Sequence, residues 1–409
     1  MSYRILLPAA ALALVAAPAA GQSFSQRKVL KRAETQAAIL QRQLPPAIQQ
    51  QVAAAPGKPV PVSPRSLTPT GELIVVPARD WTSGFFPGYL WLLSEATGKA
   101  QWQAAAREYT ARLEGEKTNA TTHDMGFKVY CSFGTGYRLS NDPAYRAVIL
   151  QAARTLSTRF YPKVGSLLSW DHSRDKWAFP VIIDNMMNLE LLFAATRLSG
   201  DSTYYKIAVA HANTTLKNHF RPDYSSYHVV DYDSASGRVT KRQTHQGYAH
   251  ESAWARGQGW ALYGYTLCYR ETKNPVYLRQ AENVARFILT HPNLPADGVP
   301  YWDFNAPGIP NEPRDASAAA VIASGLYELS TYSPNGAEYR RQADRMMSSL
   351  AGKYLAKPGG SRGFLLLHST GSKPGGTEID VPLSYADYYF MEALLRRKSL
   401  AAGAALPVQ

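Results

Sequence analysis

Cysteine is scarce in this chain. Only two of its 409 residues are cysteine, Cys131 and Cys268, and each lies within an apolar helical pattern. Two buried free thiols are therefore expected rather than a disulfide, and neither thiol has the surroundings of a nucleophile. The sequence has no CxxC pair and no clustered His and Cys residues. This argues against a structural or catalytic zinc site built from those ligands.

Long hydrophobic runs are also lacking. The apolar run at residues 5–17 follows one basic residue, Arg4, and is about a dozen residues long, short of the roughly 20 that span a bilayer. Small residues follow it at Ala19 and Gly21. This pattern predicts a cleavable signal peptide at residues 1–21 and an exported protein, periplasmic or secreted, with no stable membrane anchor. The alternative is an N-terminal helix that is retained as an anchor.

Acidic residues are few relative to basic ones. The chain has 31 Asp and Glu against 44 Lys and Arg, which gives a formal net charge of +13. Such a balance favours anionic partners. Because the basic residues are dispersed and accompanied by 8 Trp and 25 Tyr, an acidic polysaccharide is a better match than nucleic acid. The sequence is compatible with a monomer or a dimer.

The N-terminal region differs from the rest of the chain. Residues 23–54 carry a helical pattern, and residues 55–79 are rich in proline and irregular. We expect the segment 22–80 to wrap around a catalytic domain at residues 81–399, which is followed by a tail at residues 400–409.

A helical unit recurs through that domain. A Gly, Asn or Asp turn is followed by an aromatic residue and an amphipathic helix, and a more apolar helix precedes each copy. The copies are TGKAQWQAAAREYTARL, SNDPAYRAVILQAARTL, SGDSTYYKIAVAHANTTL, TKNPVYLRQAENVARFIL and SPNGAEYRRQADRMMSSL. The C-terminal SYADYYFMEALLRR and the N-terminal helix supply a sixth pair. This repetition predicts an all-α fold, a toroid of six helical hairpins or (α/α)6 barrel.

Strands are expected at two places only, as hairpins at one rim of the toroid. The first hairpin pairs SYHVVDYD with GRVTKRQTH, and the second pairs GFLLLHST with GTEIDVPL.

Polar residues stand at the starts of the apolar helices, where a toroid opens its cavity. Trp81 could stack on a sugar ring or seal a helix end. Asp124 could act in catalysis or cap the helix that follows it. Asp184 ends an apolar run and begins a Met-rich apolar helix, where an ionised carboxylate is rarely left without a partner. Asp184 is therefore the strongest candidate for function.

The stretch at residues 227–265 mixes hydrogen-bond donors for carboxylates and hydroxyls with aromatic rings. Arg256 and Trp260 are spaced i, i+4 and share one helix face, and His228, Gln246 and His250 lie nearby in the sequence. The alternative is a polar network that binds no ligand.

Several dispersed motifs, in the same order, resemble those of the unsaturated glucuronyl hydrolases, glycoside hydrolase family 88. They are WTSGFFPGYLWLLSEATG, THDMGFKVYCSFGTGYRL, IIDNMMNLELLF, HESAWARGQGWALYGY, RDASAAAVIASGLYEL and HSTGSKPGGTEIDVPLSYADYYFMEALLR. The resemblance spans residues 81–397. It implies a single (α/α)6-barrel domain and a hydrolase with neither metal nor cofactor. The implied substrate is an oligosaccharide with a 4,5-unsaturated uronic acid at its non-reducing end, the product of polysaccharide lyases.

The resemblance also assigns roles to residues. Asp184 matches the general acid/base and Asp124 its partner carboxylate. Four residues match family residues that make polar contacts to the uronate: His228, Gln246, Arg256 and, more weakly, His123. Two match family residues that stack on sugar rings: Trp81 and Trp260. Three lie in a loop that resembles the family's contact region for the neighbouring sugar or its sulfate: Ser369, Ser372 and Lys373.

The implied chemistry is hydration of a double bond. The C4=C5 bond is conjugated to the ring oxygen, so an acid that protonates C4 produces an oxocarbenium-like centre at C5, to which water adds. A nearby carboxylate and partial burial would keep Asp184 protonated for this step.

Three other functions fit parts of the pattern. The first is hydrolysis of unsaturated rhamnogalacturonan fragments of pectin on a similar barrel. The second is binding of acidic glycans without catalysis. The third is sugar epimerisation on an α/α toroid, for which His228 and His250 would be the paired histidines.

Overall fold

The computed structural model describes residues 24–407, so the predicted signal peptide at residues 1–21 lies outside the described residues. The described chain begins with helix α1 (Gln26–Ala54), as the N-terminal pattern predicted. Strands β1 (Pro61–Leu67) and β2 (Leu73–Pro77) then form an antiparallel hairpin. The segment at 55–79 was predicted to be irregular, and this prediction was wrong. Three of its prolines, Pro61, Pro64 and Pro77, lie within this two-stranded hairpin. Both strands are edge strands, so a proline, which has no backbone N–H, can occupy a position that donates no ladder hydrogen bond.

Six inner helical segments form a closed ring, in which each packs against the next and the last packs against the first. They are α2 (Phe85–Thr97), a π-helix (Gly126–Gly134) continued by α4 (Thr135–Ser140), α6 (Asn185–Ser199), α8 (Ala255–Thr272), α10 (Ala316–Leu329) and α12 (Ser384–Ala401). Because these segments are apolar on nearly every face, they are buried almost completely.

Amphipathic helices lie outside this ring. They are α3 (Ala100–Ala111), α5 (Pro143–Ser157), α7 (Ser202–Asn218), α9 (Pro275–Thr290) and α11 (Gly336–Ser349), and each packs against an inner helix. The sixth outer place is taken by α1, which packs against α2, and the Tyr89 hydroxyl donates to the Ala33 carbonyl at 3.0 Å. The predicted (α/α)6 barrel is confirmed.

The turn residues cap three of the outer helices. The side chains of Asp142, Asp201 and Asn274 accept hydrogen bonds from the second amide of α5, α7 and α9 at 2.8 to 3.0 Å. Helices α3 and α11 begin without such a side-chain bond. Short helical turns at Glu114–Thr118, Leu350–Tyr354 and Ser361–Gly363 fill the connections.

Short strands lie at the end of the barrel where the inner helices begin. Strands β3 (Phe160–Tyr161) and β4 (Ser166–Leu167) pair with each other, and β5 (Pro180–Ile182), β6 (Val229–Tyr232) and β7 (Val239–Gln243) form an antiparallel sheet. The first predicted rim hairpin is confirmed as β6 and β7.

The second predicted hairpin, at residues 363–383, was wrong. This segment makes only isolated bridges, among them Ser369 with Val381. Positive φ angles at His368, Glu378 and Asp380 interrupt the extended conformation that a ladder requires.

Both cysteines are buried free thiols, as predicted. Between residues 24 and 407, no helix combines the length and the apolar character that crossing a membrane requires.

Candidate active site

Two connected cavities open at the end of the barrel where the inner helices begin. A deep cavity of about 110 Å³ is lined by residues at the starts of five inner helices, among them Asp124, Asp184 and Arg256. It adjoins a wider basin of about 920 Å³. The residues that line both are Arg65, Trp81, Trp170, Gln246, Ser372 and Thr377.

The pairing of β5 with β6 places Asp184 at the deep cavity. Ile182 pairs with Val229, and the next amide, of Ile183, donates to the His228 carbonyl at 3.0 Å. The chain then turns into α6 at Asp184, whose side chain makes no cap hydrogen bond. Its Oδ2 atom is buried and has no hydrogen-bond partner within the described residues. The carboxyl is therefore held at the cavity wall without a structural role in the helix.

The surroundings of Asp184 favour the protonated acid. Burial raises its pKa from 3.8 to about 7. The Arg256 guanidinium opposes this shift, the carboxylate of Asp124 adds to it, and the indole N–H of Trp260 also lowers the pKa. A substantial fraction of Asp184 is therefore protonated at neutral pH.

Asp124 reaches the same cavity from the start of the π-helix. Its Oδ2 atom accepts a hydrogen bond from the Thr122 hydroxyl at 2.8 Å. Gly126 allows the π-helix to approach α6 closely, because a Cβ there would lie 2.7 Å from the Asn188 Cα. The Asn188 side chain in turn accepts from the Phe127 amide at 3.1 Å. This close packing brings the two catalytic candidates to one cavity.

Two buried histidines stand beside these carboxyls. His123 is fully buried, lines the deep cavity, and has its Nε2 atom 3.3 Å from Asp124 Oδ1. The Nδ1 atom of His228 accepts from the amides of His245 and Gln246, both at 3.1 Å, so the ring proton is on Nε2. Burial lowers the pKa of both imidazoles, which are therefore neutral. His228 lies behind Asp184, and its predicted contact with the uronate stays a prediction.

Arg256 is buried and held on several sides. Its Nη1 atom donates to Asp315 Oδ2 at 2.6 Å and to the Thr370 carbonyl at 2.7 Å, and Nη2 donates to the Gly371 carbonyl at 2.6 Å. The guanidinium lies 4.5 Å from the Trp254 ring centroid and 5.3 Å from that of Tyr385. The guanidinium has five N–H groups and makes three hydrogen bonds. The Nε–H, which is buried, and one Nη2–H therefore have no acceptor among residues 24–407.

Gln246 and Trp81 line both cavities, as their predicted roles require. The Gln246 amide donates to the Gly371 carbonyl at 3.0 Å, so Gln246 and Arg256 share one acceptor. Trp81 is half-buried and packs on Tyr385 and Phe127, with centroid separations of 5.0 and 5.5 Å. Both roles stay predictions.

Trp260 and Ser369 do not have the exposure that their predicted roles need. Trp260 is fully buried between Phe127 and Tyr389, so neither face of its ring is open to a sugar. Ser369 is also fully buried. We therefore correct both assignments: Trp260 is a packing residue whose indole lowers the pKa of Asp184, and Ser369 is an interior residue of the loop whose backbone pairs with Val381.

The other two residues of that loop differ from each other. Ser372 is half-buried and lines both cavities, as its predicted role requires. Lys373 forms an ion pair with Glu312 and lies 5.3 Å from the Trp302 ring centroid. Lys373 lines neither cavity, and its predicted contact with the neighbouring sugar or its sulfate stays a prediction.

The sequence interpretation missed several lining residues. Arg65 comes from the β1–β2 hairpin and is held by Asp80 at 2.9 Å and by both oxygens of Glu378 at 2.6 and 2.9 Å. Trp170 lies between the two cavities. Its neighbour in the basin, His245, follows β7. Two tryptophans and three histidines of the 170–250 region line the basin and were the sequence signal for this wall: Trp170, Trp177, His172, His245 and His250.

Comparison with known proteins agrees with this geometry. Residues 70–407 match the sequence profile of Glycosyl Hydrolase Family 88. The chain is 54% identical over 340 residues to an unsaturated glucuronyl hydrolase of Formosa agariphila, an alignment that covers 82% of this chain and 85% of that protein.

Solved structures are similar as well. The crystal structure of an unsaturated glucuronyl hydrolase specific for heparin has a TM-score of 0.85 and 44% identity, over 92% of this chain and 99% of that one. A variant of the unsaturated glucuronyl hydrolase of Streptococcus agalactiae, solved with dGlcA-GalNAc6S, has a TM-score of 0.73 and 26% identity, over 92% of this chain and 93% of that one.

Proposed function

The chain belongs to Glycosyl Hydrolase Family 88, and we propose that Asp184 is the acid and base of its reaction. The chain is an unsaturated glucuronyl hydrolase. It releases 4,5-unsaturated glucuronic acid from the non-reducing end of oligosaccharides that lyases have made from acidic polysaccharides.

The protonated state of Asp184 carries this assignment. The reaction begins with transfer of a proton to a carbon atom, which requires an acid at neutral pH and gains nothing from a carboxylate nucleophile. Asp184 is a buried carboxyl in a small cavity, with a pKa of about 7 and one oxygen that accepts no hydrogen bond from the described residues. It can therefore hold a proton and deliver it to a bound ligand.

The first step forms a C–H bond at C4. The C4=C5 electron pair takes the Asp184 proton, and the positive charge at C5 is shared with the ring oxygen. Water then adds at C5 while Asp184, now a carboxylate, accepts one of its protons, which restores the acid. The resulting hemiketal opens by cleavage of the bond between C5 and the ring oxygen. A hemiacetal remains at C1, and its collapse expels the glycosidic oxygen as an alcohol.

Asp124 and Arg256 have opposite effects on this cycle. The Asp124 charge favours the protonated form of Asp184 before the first step, and the Arg256 charge stabilises the carboxylate after it. Arg256 also has two N–H groups without a protein acceptor, and we assign them to the carboxylate of the uronate. Gln246, which lines the same cavity, supplies an amide for the sugar.

The decisive test uses Asp184→Asn, with folding checked by circular dichroism. Loss of the ultraviolet absorbance of the conjugated double bond, measured on unsaturated disaccharides, should slow by about 100-fold or more. Asp201→Asn is the matched control, because Asp201 caps the outer helix α7 far from the cavity. Near wild-type turnover by Asp184→Asn would exclude the assignment.

Solvent labelling separates hydration from ordinary glycoside hydrolysis. In deuterated water, quenched at early times, hydration places one deuterium on a single face of C4. Attack at C1 would instead release a sugar that still has its double bond. If the Asp184→Asn variant binds the disaccharide and the wild type consumes none of it, the chain is a binder of acidic glycans without catalysis.

We propose further that the chain is exported to the periplasm. The supporting observation is the charged, apolar and small-residue pattern of residues 1–21. Expression of the whole chain in a Gram-negative host, followed by fractionation and N-terminal sequencing, should give a soluble periplasmic chain that starts near residue 22. A membrane-bound chain that retains Arg4 would contradict it.

A further inference from the structure

Two lysines on one wall of the basin have no acidic partner in the described part of the chain. Lys176 lies in the loop before β5 and Lys241 lies on β7, and both line the basin. The Lys241 ammonium donates to the backbone carbonyl of Lys176, which holds the Lys241 side chain beside the loop that carries Lys176. Within residues 24–407 neither ammonium is in an ion pair, whereas Lys373 is paired with Glu312 and Lys128 with Glu116.

The rest of this wall is aromatic. Trp170 stacks on His172 with a centroid separation of 5.1 Å, and Trp177 lies 5.5 Å from Trp170. His245 packs edge-on against both tryptophans at 5.3 and 5.7 Å. Asp175 also faces the basin, so two ammonium groups and one carboxylate leave the wall with a net positive charge.

Among the residues from 24 to 407, Arg65 is the one other Lys or Arg that lines the basin, and it is already paired. The carboxylates of Asp80 and Glu378 outweigh its single charge. An anionic group in the basin is therefore attracted toward Lys176 and Lys241 and not toward Arg65. Trp170 borders both cavities and packs in the aromatic cluster beside the lysines, so an oligosaccharide that extends from the deep cavity can reach the lysines along this ring.

We propose that Lys176 and Lys241 form an anion subsite for the part of the substrate beyond the unsaturated uronate. The ligand is an acidic oxygen group, either a sulfate ester on the adjoining sugar or the carboxylate of the next uronate along the chain. This subsite rests on the proposed function, because it binds an oligosaccharide whose unsaturated uronate occupies the deep cavity. Neither lysine belongs to the loop at residues 369–373, of which Ser372 also lines the basin.

The test is the double variant Lys176→Gln, Lys241→Gln, assayed on three unsaturated substrates. A sulfated disaccharide carries only the sulfate, an unsulfated tetrasaccharide carries only the further carboxylate, and an unsulfated disaccharide carries neither. We expect KM to rise roughly tenfold for one or both anionic substrates, with kcat unchanged. The unsulfated disaccharide should keep its wild-type KM. The substrate whose KM rises identifies which anion the subsite binds.

A matched control removes the same charge elsewhere. Lys206 and Lys217 are exposed on the outer helix α7, so Lys206→Gln, Lys217→Gln should leave every KM unchanged. A rise in KM for all three substrates, or for none, would overturn the proposal. So would a sulfate effect that appears in Lys373→Gln and not in the double variant. If the wild type consumes none of the substrates, the proposed function itself fails, a result distinct from any of these.

Discussion

The Nε2 atom of His228 lies 3.7 Å from Oδ2 of Asp184. Because two backbone amides donate to His228 Nδ1, its Nε2 carries the proton and faces the carboxyl as a neutral donor. The amides belong to His245 and Gln246, which line the basin and, for Gln246, also the deep cavity. One imidazole therefore connects the proposed acid with the wall that surrounds the substrate.

Two substitutions of His228 test separately the roles of its two ring nitrogens, Nδ1 and Nε2. In His228→Asn the side-chain oxygen can still accept from the two amides, but the donor toward Asp184 is lost. In His228→Gln the side-chain amide can still donate toward Asp184, but the acceptor for the two backbone amides is lost. We expect His228→Asn to lower kcat by about 10- to 100-fold at nearly wild-type Tm, and His228→Gln to lower Tm while it keeps most of kcat. Equal Tm and equal kcat in the two variants would contradict this division of roles.

The pKa of Asp184 sets the expected pH dependence. The reaction needs the protonated acid, and burial raises its pKa to about 7. The acid is therefore present below about pH 7, and kcat/KM on an unsaturated disaccharide should fall by about tenfold per pH unit above it. A profile that stays flat well above neutrality, or that rises there, would rule out Asp184 as the proton donor.

The same shift predicts a change in stability. Asp184 ionises above about pH 3.8 in the unfolded chain but only above about pH 7 in the folded chain. The folded state therefore loses stability relative to the unfolded state as the pH rises between these two values. Above pH 7 the buried charge costs on the order of a few kcal/mol. Asp184→Asn should therefore raise Tm by roughly 3 to 5 °C at alkaline pH, with a gain that shrinks toward acid pH. Asp201→Asn should show no such gain.

The barrel could be predicted from the sequence because its signals are local. Turn, aromatic residue and amphipathic helix recur at each hairpin, and the three side-chain caps at Asp142, Asp201 and Asn274 depend on residues two positions apart. The β1–β2 hairpin could not be recognised, because proline usually indicates an irregular segment and here belongs to a two-stranded ribbon.

The site was less predictable, because a residue's role there depends on how deeply the fold buries its side chain and on partners that are distant in the sequence. Arg256 and Trp260 do share a helix face, but one turn of helix moves Trp260 about 6 Å along the barrel axis, below the cavity floor. Lys373 is neutralised by Glu312, which is 61 residues earlier in the chain. No spacing rule connects such a pair before the fold is known.

Asp315 should affect the reaction through Arg256. Both side chains are almost completely buried, and Asp315 Oδ1 also caps α10 by accepting from the Ser317 amide at 3.1 Å. Asp315→Asn can keep the cap but leaves the guanidinium without its counter-charge, at a cost of about 3 to 5 kcal/mol. The uncompensated cation should lower the pKa of Asp184.

The measurement is the alkaline limb of the kcat/KM profile in Asp315→Asn, which should move to lower pH. A purely structural loss would reduce kcat/KM equally at every pH. An unshifted limb in a folded variant would therefore show that Arg256 does not act on the proton of Asp184.

Gly371 is hydrogen-bonded to both polar residues that are proposed to bind the uronate, Arg256 and Gln246. Its carbonyl accepts from both Arg256 and Gln246, at 2.6 and 3.0 Å. A Cβ at this position would meet the Glu378 carboxylate and lie 2.8 Å from the Glu378 Cβ. Gly371→Ala must therefore displace the loop, and with it the shared carbonyl, by a few tenths of an ångström or more.

We expect Gly371→Ala to raise KM for every unsaturated substrate and to lower kcat/KM by about 10- to 100-fold, because both donors lose their alignment. Gly115→Ala is the matched control, since a Cβ at Gly115 meets no other atom within 4 Å. The two glycine variants should have similar Tm values if Gly371 acts on the site and not on folding. Wild-type kcat/KM in Gly371→Ala would mean that Arg256 and Gln246 hold the substrate independently of the Gly371 carbonyl that they share.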